Sequence, residues 1–265
     1  MPKKSAKPAA RKSLRETLAP ASVLYLYAIS QMPERTAPAI TVEGMDGATP
    51  VEAVRCGSYL CWISRVSRSD FADKIPELMS NLEWLATAGF RHQHVVAEIS
   101  GKLPTLPARF GTIFVNEDSL AKHMKQRSRA LRAAFQRVAN ADEWGVKIFA
   151  LAPPDEPSAR KASSGSDYLK LKADRLQPRK TDKLDAEVQA FLSTLNELAI
   201  THSAGGKASA GQRGLVWHGS FLIRRKDRKK LDSTLRKYAT RWKNLRRIDC
   251  SGPWPPYSFV GNHAD

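Results

Sequence analysis

LVWHGSFLIRRKDRKKLDSTLRKYATRWKNL (215–245) changes its hydrophobic period halfway along. The opening run is apolar and β-rich, which predicts a strand over 215–225. Then Leu231, Leu235, Tyr238, Trp242 and Leu245 recur at i, i+4, i+7, i+11 and i+14, which predicts a helix over 226–245. The same alternation surrounds this stretch. DEWGVKIFALAPP (142–154) predicts a strand in which Trp144, Val146 and Ile148 alternate with Gly145, Lys147 and Phe149. A helical region is expected from Tyr168 to Ala199, with Leu184, Val188, Phe191, Leu192, Leu195 and Leu198 as its stripe. SAGGKASAGQRG (203–214) reads as a flexible link, and 247–260 as a final strand-like segment. One more strand, from 219–225 or 255–260, would make this order ferredoxin-like, an antiparallel sheet with helices on one face.

The first half also mixes strands and helices. VLYLYAI (23–29) alternates Tyr25 and Tyr27 with Leu24 and Leu26. PAITVEGMDG (38–47) suggests a short second strand. VEAVRCGSYLCWISRVS (51–67) reads as two runs meeting at Gly57-Ser58, and the second run is apolar on both faces, as in a strand covered on both sides. Residues 69–100 place Leu78, Leu82, Leu85 and Ala86 at helical spacing, with Pro76 and Gly89 dividing them into two pieces. Residues 101–116 read as a loop and a strand. Residues 118–141 read as one amphipathic helix with Leu120, Met124, Leu131, Phe135 and Val138 on one face. The expectation is an α+β protein of two domains, 21–141 and 142–265, behind a disordered basic arm, 1–20.

Apolar residues make up 42% of the 265, enough for a sizeable core. No run approaches the roughly 20 apolar residues that span a bilayer. The basic N-terminus lacks an apolar stretch behind it, so no signal peptide is read and a cytoplasmic location is expected. Cys56, Cys61 and Cys250 lack paired spacing, which disfavours a disulfide framework or a zinc site. The net charge of +17 favours anionic partners. It is concentrated in the arm, in 122–137, which carries no acid, and in 224–247, where twelve Lys and Arg face only Asp227 and Asp232.

Candidate chemistry is thin. GGKASAG (205–211) departs from the phosphate-loop pattern, because Gly206-Lys207 is followed by Ala208 and no helix follows. His92 and His94 in RHQH (91–94) would suit a metal on a strand but diverge on a helix. No nucleophile–base pairing is evident, and neither a cofactor nor catalysis is expected. A nucleic-acid module with an RNA-recognition-like sheet is the alternative, resting on Trp217, Phe221, Arg224 and Arg225. Core packing of Trp217 and Phe221 competes with it.

Several segments in order resemble the gas vesicle GvpF/GvpL family: YLYAI (25–29), residues 51–67, NLEWLATAGFRHQHVV (81–96), LPARFGTIF (106–114), EWGVKIF (143–149), SGSDYLKLK (164–172) and SGPWPPYSFV (251–260). The resemblance covers about 21–260 and departs in the basic arm and in the Pro/Lys-rich loop 153–163. It implies two domains, the C-terminal one a modified ferredoxin-like fold. It also implies a non-enzymatic accessory or minor structural protein of the gas vesicle, which binds the hydrophobic shell protein GvpA and other accessory proteins. The partner-contact residues expected are Lys122, Arg129 and Arg132 on the basic helix and Trp254 and Tyr257 at the terminus. In the terminal decapeptide the prolines fix φ and remove donors. Trp254 is expected to anchor a rigid lead-in, with YSFV then pairing at a sheet as the last piece of the C-terminal core.

Overall fold

The computed structural model describes residues 21–32, 36–151, 186–205, 212 and 214–261. The arm 1–20, the loop 153–163, the candidate phosphate loop beyond Gly205 and the helix expected before residue 186 lie outside them.

Strand β1 (Ser22–Gln31) is the axis of the first sheet, whose order is β2-β3-β1-β4 with β5 also on β1. β2 (Glu52–Cys56) and β3 (Tyr59–Ser67) form the hairpin expected at Gly57-Ser58, where Gly57 takes φ +65°. β4 (Thr105–Pro107) and β5 (Ile113–Phe114) pair with successive parts of β1. The alternation in β1 sends its side chains to two cores. Tyr25 and Tyr27 meet α2 (Leu82–Lys102) through Ala88, Val95, Val96 and Ile99. Leu24, Leu26 and Ile29 meet α3 (Glu117–Gln126) and α4 (Ser128–Val138) through Leu120, Met124, Leu131 and Phe135. The sheet is thus covered on both faces, which is why β3 is apolar on both.

Three expectations for this half change. The segment 38–47 forms only a bridge, Glu43 with Pro50. The Asp46 carboxylate there accepts from the Ala48 and Thr49 amides at 3.0 and 2.8 Å, which makes a turn and removes the donors a strand needs. Gly89 does not divide its helix. The break falls before Leu82, where Asn81 Oδ1 accepts from the Trp84 amide at 3.0 Å, after a short turn, α1 (Ile75–Leu78). The single helix over 118–141 is two helices meeting at Arg127, and both keep the expected stripe on the sheet.

β6 (Ala141–Ala150) lies between β8 (Leu215–Arg224) and β9 (Arg246–Trp254) in an antiparallel sheet of order β7-β8-β6-β9. Helices α5 (Ala186–Leu198) and α6 (Arg228–Arg241) cover one face. Trp144, Val146, Ile148, Phe221 and Ile223 pack there on Val188, Phe191, Leu195, Leu231, Tyr238 and Trp242. This is the expected ferredoxin-like order, with β8 inserted between β6 and β7. The missing strand comes from neither expected source. It is β7 (Thr201–Ala204), paired His202 to Phe221.

The terminal decapeptide also departs from expectation. β9 ends at Trp254, and Pro255 and Pro256 lack the N–H groups to extend it. Tyr257–Phe259 instead turn tightly, with Tyr257 N donating to Pro255 O at 2.8 Å and Phe259 N to Pro256 O at 3.1 Å. Phe259 and Val260 sink into the core beneath α3 and α4, together with Leu222 of β8. Tyr257 packs on the core beneath α2. The terminus is therefore a strap from the second sheet into the cores of the first, not the last strand of its own sheet.

Candidate protein-interaction surface

Among the described residues no group of three or more His, Cys, Asp or Glu is placed to hold a metal. The two histidines of RHQH diverge as helix geometry requires. His94 is exposed and stacks on Phe90, whereas His92 is buried and shares a hydrogen bond of 2.8 Å between Nδ1 and Tyr25 Oη. Tyr25 Oη also accepts from the Gly111 amide at 3.2 Å, which ties the β1 ring to both the helix and the loop before β5. Burial drives the His92 pKa down to about 4, against a smaller upward pull from the Ala108 backbone.

The aromatic residues of β8 face the helices. Phe221 is buried, and Trp217 packs beside it with ring centroids 5.6 Å apart. Phe221 is a core residue and Trp217 lies half-buried against that core, so the pair does not form an open stacking platform.

The basic residues fall into two kinds. On α6 and its flanks many are paired: Arg228 with Asp232 at 2.9 Å, Lys230 with Asp227 at 3.0 Å, and Arg241 with Glu187 at 2.7 Å. Arg228 also lies 3.8 Å over the Trp144 ring. Lys122, Arg129 and Arg132 are exposed on α3 and α4, with no ion pair among the described residues. Their apolar neighbours Leu120, Met124, Leu131 and Phe135 are buried, so packing holds the helices and leaves the cations to solvent.

Trp254 is 44% exposed, its Nε1–H bonded to Ser251 Oγ at 3.1 Å. It projects from the end of β9, an edge strand exposed over most of its length. Tyr257 lies apart from it, against the His92 ring at 6.2 Å, with burial raising its pKa above the ordinary tyrosine value. The structure does not bring these two aromatics together.

Two surfaces escaped the sequence reading. On α2 the exposed face carries Leu82, Ala86 and Phe90 at i, i+4 and i+8, with Met79 just before them. Leu82 is 80% and Phe90 72% exposed. Leu82 and Ala86 belong to the helical spacing legible in the sequence, but the helix buries Ala88, His92, Val95, Val96 and Ile99 instead. The second surface is a groove of about 730 Å³ between the β2–β3 turn and helices α3 and α4. It joins residues distant in sequence, and no local pattern announces it.

Among the described residues no helix is long and apolar enough to cross a membrane. The family model described as gas vesicle synthesis protein GvpL/GvpF matches residues 23–261. Gas vesicle protein L of Streptomyces sp. (strain CB03234) is 26% identical over 253 residues, covering 89% of this chain and 92% of its own. Gas vesicle protein F2 of Halobacterium salinarum is 26% identical over 242 residues, covering 91% and 94%. The crystal structure of GvpF from Anabaena sp. PCC7120 has the same fold, with a TM-score of 0.63 at 18% identity over 90% of this chain and 96% of that one. With two antiparallel sheets in this order and a family match running from β1 to the terminal strap, the chain belongs to the gas vesicle GvpL/GvpF family.

Proposed function

We propose that this protein works in gas-vesicle assembly, holding the hydrophobic shell protein GvpA soluble until it enters the growing wall. Family membership supports a place at the gas vesicle within the cytoplasm. The single observation that carries the finer reading is the apolar stripe Leu82–Ala86–Phe90 on α2. Large apolar side chains aligned in solvent mark a contact surface. A shell subunit has the complementary problem, since greasy faces and open strand edges aggregate before assembly. In this reading the two sheets are the cores of two domains meeting near residue 141, the exposed β9 edge with Trp254 is a second contact, and other accessory proteins join the complex. No catalytic step is invoked.

Co-expression with GvpA tests the reading. Wild type is expected to keep GvpA in the soluble fraction. Leu82→Glu with Phe90→Glu is expected to send it to the pellet, while changing folding stability by less than about 1 kcal/mol because both sites are exposed. GvpA that stays insoluble beside wild type, or soluble beside the double variant, overturns the proposal.

The basic face of α3 and α4 has a separate role here, in encounter. Reversing Lys122, Arg129 and Arg132 together is expected to slow association with an acidic partner about tenfold at low salt and to flatten its salt dependence. Stopped-flow rates that match wild type across a salt series would remove steering from that face.

A further inference from the structure

We propose that the groove between the β2–β3 turn and helices α3 and α4 binds an acidic amphipathic protein segment. Its apolar side chain would sit on the floor and its carboxylates on the rim. The floor is Met32, Tyr59 and Met124. Tyr59 is a fixed wall: its ring stacks on Phe135 at 5.7 Å and its hydroxyl donates to the Ser128 carbonyl at 3.3 Å. Half-buried Met32 supplies adaptable apolar surface beside it, over the buried Met124. Lys125 and Arg132 stand on the rim, and among the described residues no carboxylate lines the groove. Lys122 and Arg129 extend the positive field along the same helices. The volume, about 730 Å³, falls within the range of pockets that bury a ligand of several side chains.

Charge complementarity selects the occupant. The chain's own N-terminal residues are basic and a second copy carries the same net charge of +17, so overall charge repels both from a cationic rim. A greasy strand alone would leave Lys125 and Arg132 unpaired over it. Leucines flanked by glutamates match floor and rim together. A single strand that stacks its bases would need an open aromatic face, and Tyr59 is 9% exposed with its ring against Phe135. The inference goes beyond the shell-protein reading and does not depend on the α2 stripe.

The test uses the full chain and a fluorescein-labelled helical peptide with Leu along one face and Glu on its flanks. A second peptide carries Lys in place of each Glu. The Glu peptide is expected to bind wild type, and the Lys peptide at least about tenfold more weakly. Ala121→Trp, at an exposed position lining the groove, fills it without touching the core, and Lys125→Glu reverses its rim. Each is expected to weaken the Glu peptide about tenfold or more, with an unchanged melting curve. Equal binding of both peptides, or undiminished binding by both folded variants, overturns the proposal. So does an RNA oligonucleotide that displaces the Glu peptide and is itself lost in Ala121→Trp. Because GvpA solubility is read separately, failure here leaves the assembly reading standing, and the reverse also holds.

Discussion

Phe259→Ala is expected to destabilise the whole molecule by about 3–5 kcal/mol, although Phe259 lies only a few residues from the end of the chain. Phe259 is 5% exposed and belongs with Val260 to the core cluster that also holds Leu120, Leu131, Phe135 and Leu222. Those residues come from α3, α4 and β8, each of which is also packed on other parts of the two sheets. Removal therefore forfeits the burial of the ring and leaves a cavity as well. Two polar anchors fix the strap on its way in. The Glu143 carboxylate accepts from Ser258 N at 2.9 Å and Ser258 Oγ at 2.6 Å, and Arg137 donates to the Phe259 carbonyl at 3.3 Å. A loss of this size is a large share of the total of about 5–15 kcal/mol that holds an ordinary domain. Urea melts should show a lower midpoint at unchanged slope. Hydrogen exchange decides where the loss falls. A strap shared by both sheets predicts equal loss of protection in β1 and in β6. Loss confined to β6 and β9 would mean that the terminus stabilises its own sheet alone.

The strap also marks where the sequence stopped being readable. Its rigidity was legible in Pro253, Pro255 and Pro256, but its destination was not, because nothing local says which core receives Phe259. β7 was missed for a related reason. Thr201–Ala204 alternates between half-buried and exposed without one large apolar side chain, so its strand character comes from pairing with β8 and not from its own pattern. Where a segment buries its own side chains the reading succeeded. The doubly apolar β3, the Gly57-Ser58 turn and the stripe Leu231, Tyr238 and Trp242 all lie where expected. The surfaces divide in the same way. Lys122, Arg129 and Arg132 could be placed in solvent because their helices bury the opposite face. The α2 stripe was hidden, because that helix carries apolar residues around most of its circumference and only the sheet decides which remain uncovered.

Acid should unsettle the same region through one side chain. His92 is buried in the aromatic cluster of the first sheet, its ring centroid 5.7 Å from Tyr25, 5.8 Å from Tyr27, 5.7 Å from Phe110 and 6.2 Å from Tyr257. Burial lowers its pKa from 6.5 to about 4. The unfolded chain therefore takes up a proton below pH 6.5 that the folded chain refuses until pH 4. Stability is complete above 6.5 and falls with pH across that window, by about 3 kcal/mol in all, before levelling off once the folded form also protonates. Carboxylates titrate in the same range, so the measurement is a difference: wild type should lose about 3 kcal/mol more than His92→Gln between pH 6.5 and 4. Parallel curves for the two proteins would show that the imidazole carries none of the acid sensitivity. If they diverge, the element released first should be the end of the chain, since Tyr257 rests on the His92 ring while α2 keeps Val95, Val96 and Ile99 on the sheet.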